Sequence, residues 1–336
     1  MQLKGEEFYQ RMRTSKVNPT TSQPTPAEFV RVLGESLTHT GFVKVAGHRV
    51  STADVDGAYR AARDFFALPE EEKARIAMSR AGSAWRGWFP VGGELTSGEP
   101  DRKEGVYFGT ELPADDPLVL ARTPLHGANL FPERPAALRA VVLRWMDEVA
   151  ALGAALLRGL ALGLGLDEDW FARSLTADPT ILFRAFHYPP GDADSWGVGE
   201  HTDYGLITLL AQDHHGGLQV RSQGEWIDVP ADPYVFVVNI GDMLDRMTRG
   251  RYRSDPHRVR NLSGQDRVSF PLFVDPSWDA RVTALPDSVF AAQAPDDDAG
   301  SRWDGASVHA WEGPYGDYLT AKVARVFPDL FADAVD

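Results

Sequence analysis

His201-Thr202-Asp203 sets an imidazole and a carboxylate two residues apart, just before the apolar run Leu206-Ile207-Thr208-Leu209-Leu210. On an extended segment alternate side chains share a face, so His201 and Asp203 would point the same way. One neutral nitrogen and one anionic oxygen on one face are two of the three ligands of a two-histidine, one-carboxylate iron site. His257, within Ser254-Asp255-Pro256-His257-Arg258-Val259, is the best candidate for the third. A His-x-Asp alone is a weak signal, because nine histidines among many aspartates produce it by chance. Its placement adds weight. The chain between Asp203 and His257 holds about four or five short strands, and a rolled barrel can bring their far end back beside the start.

Arg267 and Ser269 form a second constellation, opening the run Phe270-Pro271-Leu272-Phe273-Val274. On a strand they face one side, giving a guanidinium fork and a hydroxyl aimed at one point. That pair suits a carboxylate held bidentately by arginine.

The elements that must position these groups follow from periodicity. Helical spacing surrounds Phe29, Val32, Leu33 and Leu37, and a second helix covers 51–66 with Ser51 as its N-cap. A third spans 135–164, reading as a scaffold behind a sheet, and a closing helix starts at Tyr315. Between residues 180 and 280 seven short β-rich runs are expected: 181–188, 206–211, 217–221, 226–229, 234–240, 257–260 and 267–274. Short strands separated by Gly, Pro, Asp and Asn indicate a barrel or jelly roll. Residues 14–27, rich in Pro, Thr and Ser, read as a loop, and 275–312 look irregular. The expected organisation is one unit: an N-terminal mixed region (1–110), scaffold helices (111–179), a β core (180–280) and a C-terminal loop and helix (281–336).

Composition narrows the chemistry. The chain of 336 residues has 43% hydrophobic and 24% charged residues, as an ordinary globular protein does. Its net charge of −14 repels phosphate backbones and anionic membranes, so neither nucleic acid nor membrane is an expected partner. The absence of cysteine removes disulfides, zinc–thiolate sites, iron–sulfur clusters and thiol nucleophiles together. The first residues have no apolar signal core. The most apolar stretch, Val149 to Leu166, contains Arg158 and four glycines and fails as a membrane span. A cytoplasmic protein is the expectation; oligomeric state is open.

Ordered motifs along nearly the whole chain resemble a known family. They run from Gly41-Phe42-Val43-Lys44-Val45, Phe65-Phe66-Ala67-Leu68-Pro69 and Asp101-Arg102-Lys103-Glu104 to His187-Tyr188-Pro189-Pro190 and His201-Thr202-Asp203-Tyr204-Gly205. Gly216-Gly217-Leu218-Gln219-Val220, Asn239-Ile240-Gly241-Asp242, the His257 segment and Arg267-Val268-Ser269 complete the set. Together they resemble the iron(II)- and 2-oxoglutarate-dependent dioxygenases, in the branch with isopenicillin N synthase and the plant aminocyclopropane-carboxylate oxidases. The resemblance implies a mainly β fold with flanking helices, built on a double-stranded β-helix (jelly-roll) core. It implies Fe(II) on His201, Asp203 and His257, and 2-oxoglutarate with its far carboxylate on Arg267 and Ser269, assisted by Tyr188. Oxygen would be the second cosubstrate, and decarboxylation to succinate would be coupled to C–H oxidation of a small molecule, amino-acid-derived or of specialised metabolism. Halogenases of similar fold carry a small residue at the carboxylate position, so Asp203 counts against halogenation.

Phe186 departs from the family pattern, standing where many relatives carry asparagine, and Asp255 replaces a common threonine. By the same analogy, Trp85, Arg86, Trp88, Phe183 and Phe273 are the candidate substrate contacts. Three other readings stay open: a 2-oxoglutarate-independent iron oxidase, an ethylene-forming breakdown of 2-oxoglutarate, and a non-catalytic barrel that binds a small ligand.

Overall fold

The computed structural model describes residues 25–190, 195–222, 224–286, 289, 302 and 305–328. Of the loop expected at 14–27, residues 14–24 lie outside this set, and Pro26 and Ala27 already belong to a helix. In α1 (Pro26–Thr40) the Thr25 hydroxyl caps the Glu28 N–H, and Pro26 occupies the first turn, where no N–H is needed. Gly41 stops the helix with φ 62°, and a Cβ there would meet the Arg253 carbonyl oxygen at 2.7 Å, so only glycine fits. The strand β1 (Phe42–Val45) follows at once, then α2 (Thr52–Phe66), capped by Ser51 as expected, and the short α3 (Glu70–Lys73).

Residues 81–110, glycine-rich with interleaved aromatics, contribute β2 (Gly87–Phe89) and β3 (Glu104–Gly109). Next come α4 (Pro117–Leu120), the long α5 (Leu138–Gly163) and α6 (Trp170–Ser174). The β-rich half holds β4 (Pro179–Tyr188), β5 (Val198–His201), β6 (Ile207–Gln212), β7 (Leu218–Ser222), β8 (Glu225–Asp228) and β9 (Phe236–Ile240). After α7 (Asp242–Thr248) follow β10 (His257–Val259), β11 (Arg267–Ser277) and the closing α8 (Tyr315–Val326).

The strands form two antiparallel sheets, one ordered β1-β9-β6-β11-β4-β3-β2 and the other β5-β10-β7-β8. This is the expected jelly roll with flanking helices. The sequence pattern had no signal for β5, four residues long, which pairs with β10. The strands before residue 110 hydrogen-bond into the same large sheet as β4, β6, β9 and β11.

Alternation along β11 divides the sheet's two faces. Arg267, Ser269, Pro271, Phe273 and Asp275 line an interior cavity, whereas Phe270 packs against Tyr59 of α2 and Trp145 of α5. The helix α5 lies against β6 and β11. Gly153 permits that approach, since a Cβ at this position would sit 2.6 Å from Val274 Cγ2. None of the described helices is long and apolar enough to cross a membrane.

Gly153→Val is therefore expected to push α5 off the sheet and lower unfolding free energy by about 1–3 kcal/mol. Ala154→Val, at an exposed position of the same helix, should lose only the helix-propensity part, roughly 0.5 kcal/mol. Urea unfolding of the two variants checks the difference.

Candidate metal centre and cosubstrate clamp

The small sheet places the two histidines side by side. His201, the last residue of β5, and His257, the first of β10, are direct cross-strand partners, with ring centroids 4.2 Å apart. Asp203 is not on a strand with His201, as simple alternation would have it. It sits in the bend after β5, where its Oδ1 lies 3.7 Å from each histidine Nε2. The three ligand atoms fall within 4.8 Å of one another.

Hydrogen bonds set which atoms remain available. His201 Nδ1 is 2.9 Å from the Gly199 carbonyl oxygen and His257 Nδ1 is 3.4 Å from that of Asp255. A carbonyl only accepts, so each Nδ1 carries the proton and each Nε2 keeps its lone pair for a metal. Asp203 Oδ2 accepts from Thr208 Oγ1 (2.6 Å) and Asn239 Nδ2 (2.7 Å), which leaves Oδ1 free towards the imidazoles. Thr208 and Asn239 are themselves cross-strand partners on β6 and β9. Burial, with His257 beside it, pushes His201 down to about 3, so its imidazole is neutral near pH 7. Burial opposes the Asp203 anion, yet His257, His201 and the Asn239 and Thr208 donors hold its carboxyl below the ordinary range. Two neutral nitrogens and one anionic oxygen converge on one point, and that donor set fits a ferrous ion.

Behind this centre lies Arg267, fully buried. Its Nε donates to the Gly216 carbonyl (2.5 Å) and Nη2 to Gln212 Oε1 (3.2 Å), while Nη1 is buried with no hydrogen-bond partner among the described residues. Tyr188, paired with Arg267 across β4 and β11, carries the guanidinium 4.5 Å above its ring centroid. Ser269 Oγ donates to Tyr188 Oη at 3.3 Å. A buried guanidinium N–H left unmatched beside two hydroxyls costs free energy that an incoming carboxylate removes. The triad, Arg267, Ser269 and Tyr188 all line one cavity.

Two family models match the chain: the N-terminal part of the non-haem dioxygenases of morphine synthesis over residues 14–134, and the 2OG-Fe(II) oxygenase superfamily over 179–276. The chain is 45% identical over 86% of its length, and 86% of the relative's, to a Dictyostelium discoideum protein named as an iron/ascorbate oxidoreductase. The chain belongs to the iron(II)/2-oxoglutarate-dependent dioxygenases. It is also 33% identical to a homoarginine-6-hydroxylase of Glycine max, covering 91% of this chain and 92% of that one. Among solved structures it superimposes on a full-length Neurospora crassa protein in complex with alpha-KG, with a TM-score of 0.70, 26% identity, and 88% and 90% of the two chains covered. The protein is thus an oxygenase that couples 2-oxoglutarate and O2 to oxidation of a small molecule, with Fe(II) as its metal.

Of the five candidate substrate contacts of this dioxygenase, only Phe273 lines the cavity. Phe183 lies on the opposite, helix-facing side of β4, stacked on Phe108 at 5.8 Å, because alternation puts odd-numbered β4 residues there. Trp88 is occupied structurally: its Nε1 donates to Glu104 Oε2 (2.7 Å) and Lys73 sits over its ring. Trp85 is buried at a left-handed turn with φ 46° and does not reach the lining. Arg86 is buried as well, donating from Nη2 to the Leu125 carbonyl (2.6 Å), and burial lowers it to about 9. The family's asparagine position is filled by Phe186, which lines the cavity under Lys103 Nζ, 4.9 Å from the ring centroid.

The cavity also contains Glu94, Lys103, Arg184, Tyr204 and Asp275, none of which sequence motifs had singled out for the site. Arg184 was accessible by alternation, sharing its β4 face with Tyr188. Asp242 opens α7 and is buried. It accepts from Tyr318 Oη (2.7 Å) and Arg302 Nη1 (2.6 Å), and its N–H donates to the Asp203 carbonyl (2.7 Å).

Arg267→Ala should raise the 2-oxoglutarate concentration for half-saturation by about 10- to 100-fold, with little change in iron affinity; unchanged saturation would refute the clamp. Asp275 gives a pH-dependent expectation. Burial raises its carboxyl to about 7, partly offset by the Tyr315 hydroxyl. A folded-state value above the unfolded one means stability is highest in acid and falls as pH rises from about 4 to about 7. In metal-free protein Asp275→Asn should raise the melting temperature at about pH 8 and leave it little changed near pH 4.

Proposed function

We propose that His201, Asp203 and His257 hold the ferrous ion of this dioxygenase and that Arg267, Ser269 and Tyr188 hold the far carboxylate of 2-oxoglutarate. The observation carrying this reading is the buried, unpartnered Arg267 Nη1, set beside Ser269 and Tyr188 in the cavity that contains the triad. The proposed outcome is hydroxylation of a C–H bond, with desaturation or cyclisation as related results of the same step. An amino-acid-derived or specialised metabolite is the proposed substrate class; the homoarginine-6-hydroxylase relative supports the former. A cytoplasmic location without nucleic-acid or membrane partners accords with the net charge of −14.

When bound, iron and 2-oxoglutarate supply the oxidising power, with the oxo acid decarboxylated to succinate as O2 is consumed. The chain's own work is positional. Asn239 and Thr208 hold Asp203 so that one carboxylate oxygen faces the metal position. The Gly199 and Asp255 carbonyls engage Nδ1 of each imidazole, so that Nε2 is the nitrogen turned to the metal position. Arg267, anchored through Gly216 and Gln212, offers its remaining N–H to the cosubstrate from a fully buried position. Phe186, Leu210 and Phe273 add apolar walls that keep competing water out.

Asp203→Ala is expected to abolish 2-oxoglutarate-dependent succinate release, with the circular dichroism spectrum and melting transition retained. Undiminished succinate formation in a folded variant would remove Asp203 from the metal site.

A further inference from the structure

A second guanidinium faces the cavity, and nothing in the cosubstrate site uses it. Leu182, Arg184, Phe186 and Tyr188 alternate onto the interior face of β4. Tyr188 stands opposite Arg267, whereas Arg184 lies four residues further along, about 13 Å away at ~3.3 Å per residue. The guanidinium is gripped between two rings, 4.1 Å from the Tyr107 centroid and 4.7 Å from that of Phe273. The two rings come from β3 and β11, the strands that flank β4.

The N–H groups of Arg184 are poorly matched. Nε is buried without a hydrogen-bond partner. The nearest carboxylate oxygen, Glu94 Oε1, is 3.7 Å from Nη1, beyond hydrogen-bonding range, and already accepts from Tyr107 Oη. The other Glu94 oxygen lies 2.8 Å from Lys103 Nζ, which also pairs with Asp101. Lys103 brings one positive charge against two carboxylates, so Arg184 balances Glu94 through space while its Nε stays without a hydrogen-bond acceptor among the described residues. Arg267 is a fully buried cation and Arg184 a half-buried one, and each has one buried N–H, Nη1 and Nε respectively, with no acceptor among the described residues.

We propose that Arg184 is the specificity-determining residue of the substrate subsite and receives a carboxylate of the substrate in the plane between Tyr107 and Phe273. This rests on the assignment of Arg267 to 2-oxoglutarate, which leaves Arg184 for the second substrate. A carboxylate matches the guanidinium edge with two parallel charge-assisted bonds. Leu182 and Leu210 from the sheet, and Leu319 and Val326 from α8, give the rest of that substrate an apolar enclosure. The substrate class is thus a small organic acid: one carboxylate on a compact apolar body, oriented by its charged end.

The test uses the full chain, anaerobic and loaded with Fe(II) and 2-oxoglutarate, titrated calorimetrically with a series of alkyl and arylalkyl monocarboxylates and their primary amides. Acids are expected to bind and amides to bind roughly 10- to 100-fold more weakly. Arg184→Gln should erase that preference, Arg184→Lys should restore part of it, and 2-oxoglutarate affinity should be unchanged in both. Equal binding of acids and amides across the series, or an acid preference that survives Arg184→Gln, would overturn the subsite while the cosubstrate clamp stood. Failure of the wild type to bind 2-oxoglutarate would overturn the clamp, and the subsite with it. Loss of 2-oxoglutarate binding in both Arg184 variants alone would show that Arg184 supports the cosubstrate and refute the proposal.

Discussion

Asp203 is a buried carboxylate, and a buried anion costs several kcal/mol unless neighbours compensate it. Its compensation comes from both sheets. Asn239 and Thr208, paired across β9 and β6 of the large sheet, donate to one oxygen, and the imidazoles of the small sheet face the other. Asp203 joins the two layers of the jelly roll where the two imidazoles and its carboxylate converge. A third connection runs from the Asp203 carbonyl to the Asp242 N–H, and from the Asp242 side chain to Tyr318 of α8. The closing helix is tied by this route to the residue on which the chemistry depends.

Alternation along β4 and β11 separates chemistry from packing. One face presents Tyr188, Phe186 and Arg184 opposite Arg267, Ser269 and Phe273. The other presents Phe183 and Phe270 to the aromatic layer of Phe108, Tyr59 and Trp145. A one-residue slip in this register would exchange cavity and core. The eleven-residue β11 pairs with β4 along most of its length and with β6 from Ser269 to Val274, which makes such a slip costly and fixes where Arg267 and Ser269 stand.

Much of this was legible in the sequence, for stated physical reasons. Period-2 runs and turn residues pointed to the jelly roll; periodic apolar residues and Ser51 pointed to α2 and the long scaffold helix. His201, Asp203 and His257 were found by residue type and order, and the structure brings them together by a different local geometry. Alternation would put His201 and Asp203 on one strand face, whereas the strand ends at His201 and a bend turns Asp203 inward. A four-residue strand such as β5 carries too few residues for a pattern. The substrate contacts were less legible, because burial competes with function for the same side chains. Trp88 and Arg86 have spent polar atoms on Glu104 and Leu125, a fact that only three-dimensional partners reveal. Arg184, by contrast, was within reach of alternation from Tyr188.

The central claim is that a three-residue iron site and an arginine clamp share one cavity and together bind the oxo acid on the metal. Its sharpest test is anaerobic titration of the Fe(II)-loaded protein with 2-oxoglutarate, followed by visible absorption. A saturable charge-transfer band that appears only when both iron and 2-oxoglutarate are present is the expected result. Bound iron with no such band at any 2-oxoglutarate concentration would contradict the claim.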